Sequence, residues 1–419
     1  MALRRAKADY KSLDWAAGQP PSSVFDTSGQ VMAGNDATKS LRLRWLNARN
    51  RMLADPAFQR FAMRNILLRG TARRHANSMF AVISGFVQTK VLTATVDAGV
   101  IRRLSAGPAS TAELAAGAGL GMEAMQRLLG AAAAIDLVEL AVPDLWVLGQ
   151  RGAALSTNQG ALAMIEHHKL FYDDLADPIA LLKGGRGQSR LARFWTYAPA
   201  AGRGEPAAAD AASWQGGGSD GGSVAPYSAL MAASQPMVAE QVIDAYRFDR
   251  HQCLMDVGGG HGAFLAEVAQ RHPRLAMKLF DLPAVVEGAR AKLGSSGLSH
   301  VALHGGSFRD DPLPQGADVI SLVRICHDHD DDVVRALLKK AHAALPAGGR
   351  LLIAEPMAGT PGAEAKGDAY FGLYLWAMGS GRPRTPADYV GLLAEAGFAN
   401  AREVPTALPM VTKLVVAER

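Results

Sequence analysis

Residues 253–273 read CLMDVGGGHGAFLAEVAQRHP. A short apolar run ends in Asp256, glycines come next, and a helical pattern begins after them. Glycines let the backbone turn tightly and come close to a ligand, so a strand–glycine loop–helix unit cradles a nucleotide-like molecule. Asp256 and the glycines behind it are therefore candidate cofactor-binding residues. From Gly258 the letters also fit G-x-G-x-x-A, the dinucleotide fingerprint. The loop alone thus admits either NAD or S-adenosylmethionine. The next apolar run, residues 276–281, ends in Asp281. A carboxylate there holds ribose hydroxyls, which both ligands carry.

The chain beyond Asp281 separates the two ligands. Further strand patterns are HVALHG (300–305), ADVISLVRI (317–325) and GGRLLIAEP (348–356), with helical patterns between them such as DDVVRALLKKAHAAL (331–345). The chain closes on FANAREVPTALPMVTKLVVAER (398–419), two strand-like runs joined by a short connection. An NAD domain needs more chain after its glycine loop for a catalytic partner domain. The β-α repeats with a closing antiparallel pair instead predict an α/β fold: a seven-stranded Rossmann-like methyltransferase sheet over 225–419.

Upstream the texture differs. Residues 1–40 carry little periodicity and are expected to be disordered. From 41 to about 100 the pattern is helical. Ser110 and Thr111 precede Glu113, a helix-start signal. A glycine-containing turn then leads to MEAMQRLLGAAAAI (122–135), and LVEL (137–140) and LWVL (145–148) form a small wing around Pro143 and Asp144. That outline is a mainly α-helical winged helix-turn-helix over 41–198, N-terminal to the sheet domain. A DNA-reading helix would expose Arg, Lys, Asn or Gln. Here only Gln126 and Arg127 stand among alanines, which favours packing or dimerisation over nucleic acid. Residues 199–224 are rich in Ala, Gly and Ser and are expected to form a mobile loop.

The 419 residues are 49% hydrophobic and 20% charged, which fits a globular protein rather than a disordered one. The net charge of +5 is unevenly placed. Arg42, Arg44, Arg49, Arg51, Arg60, Arg64, Arg69, Arg73 and Arg74 are opposed between 41 and 75 only by Asp55. This is either a solvated helical face or a surface for anionic lipid or another acidic partner, with nucleic acid less favoured because no aromatic residues interleave with the arginines. The 2 cysteines, Cys253 and Cys326, lack metal-ligand spacing and suggest a reducing compartment. No signal peptide is expected at the start. The apolar stretch near 79–87 is interrupted by Gln88, Lys90 and Asp97, so no membrane-spanning helix is expected. These features predict a cytoplasmic protein, peripheral to a membrane at most.

Residues 323–332, VRICHDHDDD, can be read as a metal site, an acidic turn or a catalytic base. A zinc site wants three or four ligands in closed geometry, and no third histidine occurs until His342. No metal is expected. The preceding strand delivers His327 to the carboxyl edge of the sheet, where open α/β sheets bind ligands. Asp330, Asp331 and Asp332 then start the next helix. His329 is left as a structural residue or a pocket wall.

LMDVGGGHGAF, FDLPAVV, VRICHDHDDD, AALPAGGRLLIAE and GSGRPRTPADYVGLLAEAGF, in this order, resemble the small-molecule O-methyltransferases related to caffeate and hydroxyindole O-methyltransferases. The resemblance covers roughly residues 75–419, and the order of the motifs is more specific than any one of them. LRLRWLNARNRMLADPAFQRFAMR, HGGSFRDDPLP and HDHDD further resemble the carotenoid 1-hydroxy O-methyltransferases of purple phototrophic bacteria.

The resemblance implies a homodimer that uses S-adenosylmethionine and methylates the tertiary hydroxyl of an acyclic carotenoid. A phenolic or polyketide substrate is the alternative, and a DNA-binding regulator a distant one. It places Gly258 and Gly260 under the methionine part of the cofactor, Asp281 at the ribose and Leu282 at the adenine. Gly306 and Ser307 stand where the family has an acidic residue and Met or Phe, with Phe308 next to them. Arg324 replaces the usual Lys. His327 is implied as the base and Glu355 as the first of two orienting glutamates. The second falls on Pro383, so half of that clamp is missing. For an apolar substrate the candidate pocket residues are Phe171, Tyr227, Met231, Met237, Phe371, Trp376 and Met378, with Met231 and Trp376 favoured as the substrate contacts.

Overall fold

The computed structural model describes residues 36–186, 188–194 and 224–419. They form two compact units that divide between Leu162 and Ala163. The expected loop 199–224 lies outside the described residues apart from Val224, where the helix Val224–Ala245 begins. The expected disorder of 1–40 falls outside them too, except that the helix Asp36–Ala54 starts inside that range.

In the first unit, Ser110 caps the helix Thr111–Ala118 through a reciprocal capping box with Glu113. Its two orphan backbone donors are thereby satisfied by the signal read in the sequence. Gly119 ends that helix in the left-handed conformation, and the helix Met122–Ala134 comes after it. Strands β1 (Ala109–Ser110), β2 (Val138–Val142) and β3 (Leu145–Leu148) form a small antiparallel sheet in the order β1-β3-β2. This is the winged outline. Arg127 pairs within its own helix with Glu123 at 2.8 Å.

One expectation fails here. The apolar pieces around Gln88 and Lys90 join into a single 29-residue helix, Arg69–Asp97, long and apolar enough to cross a membrane. Gln and Lys interrupt a run of apolar letters but are good helix formers, so they do not break the helix.

The second unit is built on a seven-stranded sheet. Its strands are β4 (Cys253–Val257), β5 (Ala276–Asp281), β6 (Ala302–Gly305), β7 (Val319–Val323), β8 (Arg350–Glu355), β9 (Ala399–Val404) and β10 (Lys413–Glu418). Their order is β6-β5-β4-β7-β8-β10-β9. The first five are parallel and β10 runs antiparallel to both neighbours. Alternation sends Met255 and Val257 into one core with Leu337, Leu338 and Tyr389, and Leu254 into the other with Phe264, Leu265 and Leu352. Both faces are covered, as a parallel sheet requires. The order reverses between β4 and β7, which opens a crevice at their carboxyl ends.

The boundary between the units is earlier than the expected 198/225. The helix Gln159–Asp174 carries His167, His168 and Phe171 onto Tyr370 and Tyr374, which ties residues from 163 onward to the sheet unit.

Candidate active site

The chain leaves β4 through Gly258 and Gly260, both with positive φ (72° and 58°). The Gly258 N–H donates to Phe280 O at 2.8 Å, and the Gly260 N–H to Asp281 Oδ2 at 2.8 Å. The other oxygen of Asp281 accepts the Leu282 N–H at 2.7 Å. Burial raises the Asp281 pKa against these bonds. Each carboxylate oxygen has a second lone pair to offer, and a Cβ at Gly260 would meet open space. An acidic group with spare acceptors beside an open glycine turn suits a ribose-bearing ligand.

Asp256 departs from its expected role as a ligand contact. It is 1% exposed, accepts the Ser321 hydroxyl at 2.6 Å, and its other oxygen lies beneath Gly259. Burial lifts its pKa to about 7. It supports the loop from inside.

At the end of β6, Gly306 is wedged between the Phe280 ring and Asp311, which leaves no room for a side chain. The Ser307 N–H donates to Asp311 Oδ2 at 2.8 Å. The Phe308 ring stands edge-on to His329, with centroids 5.2 Å apart.

β7 leads into Arg324, a non-glycine residue at φ 60°, a conformation that costs energy and concentrates at functional sites. The kink aims the next two backbone N–H groups at one acceptor. Ile325 and Cys326 donate to Glu355 Oε1 at 3.0 and 2.7 Å. Arg324 reaches back to the Ser234 hydroxyl at 2.7 Å.

The other Glu355 oxygen accepts from His327 Nδ1. His327 is buried in the short 3-10 turn Cys326–Asp328, and its Nε2 lies 3.1 Å from Asp328 Oδ1. Burial opposes the imidazolium, but the charges of Asp328 and Glu355 outweigh it and raise the pKa above the ordinary value. Burial raises Asp328 to about 6 against the attraction of His327. Pro383 contributes no carboxylate, so Asp328 is the second acid on the ring.

His329 is pushed down to about 3 by burial and by Arg309, whose Nη2 lies 3.2 Å from its Nδ1, and so stays neutral. Among the described residues no three His, Cys, Asp or Glu side chains are grouped to hold a metal.

An aromatic wall adjoins the base. Phe371 stands edge-on to His327 at 6.1 Å, Tyr370 contacts Phe371 at 4.8 Å, and His168 and His167 hydrogen-bond Tyr370 and Tyr374, each at 2.8 Å. Tyr370 ends a π-helical turn, Ala365–Tyr370, and Phe371 and Tyr374 lie on the helix Phe371–Met378 that continues it. Trp376 has other partners: its indole donates to Leu181 O at 3.3 Å, and Arg186 stacks on its ring. Met231 sits in the helix Val224–Ala245, but its side chain is outside the described residues.

Residues 172–399 match the O-methyltransferase domain family. The demethylspheroidene O-methyltransferase of Cereibacter sphaeroides is 41% identical over 88% of this chain and 94% of its own length. The chain belongs to the O-methyltransferase family. The enzyme of the same name from Rhodobacter capsulatus is 42% identical over 84% of each chain. Human N-acetylserotonin methyltransferase, solved in complex with S-adenosylmethionine, superposes with a TM-score of 0.66 at 23% identity, over 82% of this chain and 97% of that one. The mitomycin 7-O-methyltransferase structure matches at 0.66 and 22%, over 85% and 100%. The family uses S-adenosylmethionine, and the glycine turn and Asp281 fit it.

Sequence reasoning missed Asp328 and Arg384. The first stood in plain sight next to His327. The second is fully buried, with hydrogen bonds across more than fifty residues of chain, and no local pattern points to it.

Proposed function

We propose that the protein methylates the tertiary 1-hydroxyl of an acyclic carotenoid of the spheroidene or spirilloxanthin type, with His327 as general base. The observation that carries the substrate is the likeness, at 41% and 42% over most of the chain, to two demethylspheroidene O-methyltransferases. The aromatic wall of Tyr370, Phe371 and Tyr374 beside His327 supports an apolar substrate.

When bound, S-adenosylmethionine supplies a methyl group already activated by the sulfonium charge. Gly258, Gly260, Asp281, Leu282, Ser307, Phe308 and Arg324 are the residues that would hold it. With Nδ1 bonded to Glu355, Nε2, 3.1 Å from Asp328 Oδ1, is the nitrogen that accepts a proton in the neutral ring. A tertiary alcohol is far less acidic than a phenol, so a base of this strength does not ionise it beforehand. Nε2 takes the proton as the oxygen attacks, and Asp328 and Glu355 stabilise the imidazolium that forms.

The working unit is a homodimer. Phe80, Ile83 and Phe86 on the helix Arg69–Asp97 are 68%, 62% and 70% exposed in the single chain, and a second copy would cover them. The exposed arginines Arg42, Arg44, Arg51, Arg60 and Arg64 give the cytoplasmic protein a peripheral contact with an anionic membrane, where its substrate is dissolved.

The test is transfer of labelled methyl to a 1-hydroxy acyclic carotenoid in detergent, beside a catechol-type phenol, by wild type and His327→Ala. Methylation of the carotenoid alone, lost in the variant, is expected. Transfer only to the phenol would overturn the substrate, and an undiminished rate in the variant would overturn the base.

A further inference from the structure

The turn that carries His327 is held from outside. Its internal bonds are two long 3-10 contacts, Asp328 N to Ile325 O at 3.2 Å and His329 N to Cys326 O at 3.3 Å. Four successive carbonyls, however, are bound by the stretch Ser380–Arg384. Arg384 Nη1 donates to Cys326 O at 2.6 Å, the Arg382 N–H to His327 O at 3.1 Å, the Ser380 hydroxyl to Asp328 O at 2.7 Å, and Arg384 Nη2 to His329 O at 2.8 Å.

Arg384 is 0% exposed. Its Nε and Nη2 also donate to Asp331 Oδ1 at 2.9 and 2.6 Å, so its charge is balanced. Gly381, at φ 80°, passes so close that a Cβ there would overlap His327 O. The two segments fit backbone to backbone.

We propose that Arg384 is a positioning residue for His327. By binding the carbonyls on both sides of the base, with Ser380 and Arg382 completing the row, it sets the direction of the imidazole towards the reacting oxygen. The proposal rests on His327 being the base. Only a guanidinium does this well. Its planar fork serves two divergent carbonyls and a carboxylate at once, whereas an ammonium is a point donor. Glu355 holds Nδ1 and the N–H groups of Ile325 and Cys326, at the start of the turn, while the carbonyls from Cys326 to His329 are held by the Ser380–Arg384 row.

The test combines kinetics with nitrogen NMR of the His327 ring in Arg384→Gln, Arg384→Lys, Ser380→Ala and His327→Ala. In Arg384→Gln, kcat should fall on the order of 100-fold, the loss typical of a misplaced catalytic group, with the KM for S-adenosylmethionine unchanged. Arg384→Lys should regain part of it. Ser380→Ala, which removes one donor and spares the buried charge, should lower kcat less and shift the His327 titration in the same direction; it decides the matter if Arg384→Gln does not fold. Unchanged kcat and unchanged titration in Ser380→Ala and in either Arg384 variant that folds would overturn the proposal. So would a loss of kcat that goes with an equal loss of cofactor binding. Full activity of His327→Ala would instead remove the base, while the NMR titration would still decide whether this stretch sets the ring.

Discussion

His327 has a buried carboxylate at each ring nitrogen, one from β8 and one from its own neighbour in sequence. The two play different parts. Glu355 accepts backbone N–H groups as well as Nδ1, and so fixes the tautomer. Asp328 faces the nitrogen that must receive the proton. A base works only when neutral, so activity should rise with pH through a midpoint above 6.5, the ordinary histidine value, because the carboxylates raise the pKa. Asp328→Asn keeps the shape and removes the charge. The acid limb of the kcat/KM profile should then move to lower pH, since one of the two carboxylates that offset the lowering by burial is gone. An acid limb that stays in place would show that Asp328 does not tune the base.

At the scale of the element, the glycine turn and the helix Arg69–Asp97 teach opposite lessons. In the turn each letter has a local job. Gly258 has φ 72°, and a Cβ there would overlap Ile325 Cδ1, in the segment that leads to the base. Gly258→Ala should therefore raise the Kd for S-adenosylmethionine about 10-fold, from roughly 1–3 kcal/mol of backbone strain, and should lower kcat as well by pushing Ile325. Calorimetric titration of the cofactor measures the first and single-turnover rates the second. The long helix defeats a reading in which hydropathy stands for continuity. Its polar residues interrupt an apolar window while continuing the backbone ladder without cost. The capping box at Ser110 and the wing needed no tertiary information, because their signals lie within a few residues.

For the whole molecule, the described surface poses two problems that one set of measurements separates. Apolar residues on Arg69–Asp97 need a cover, and the arginines around them need counter-charge. Light scattering should give twice the 44.1 kDa chain mass, and the combined Phe80→Glu, Ile83→Glu, Phe86→Glu variant should run as a single chain. That variant should still float with anionic vesicles, and flotation should fall as salt rises, because it rests on screened charges. Flotation that is lost in the variant and insensitive to salt would mean that the apolar face, not the arginines, meets the membrane.

By itself the sequence determined the α/β class, the strand–glycine loop–helix unit, the closing hairpin, the winged outline, and the place of His327 at the carboxyl edge of the sheet. Each depends on periodicity, on glycine, or on one strand's direction, all of them local. Tertiary structure alone decided what surrounds these residues. It put Asp256 under the loop rather than in it, gave Trp376 to Arg186 and Leu181, and brought Phe371 to the base. It also bound the carbonyls of residues 326–329 to Ser380–Arg384. These outcomes join segments far apart in sequence, up to the 195 residues between Leu181 and Trp376. They are set by how covered sheet faces and crossing loops pack, which no window along the chain contains.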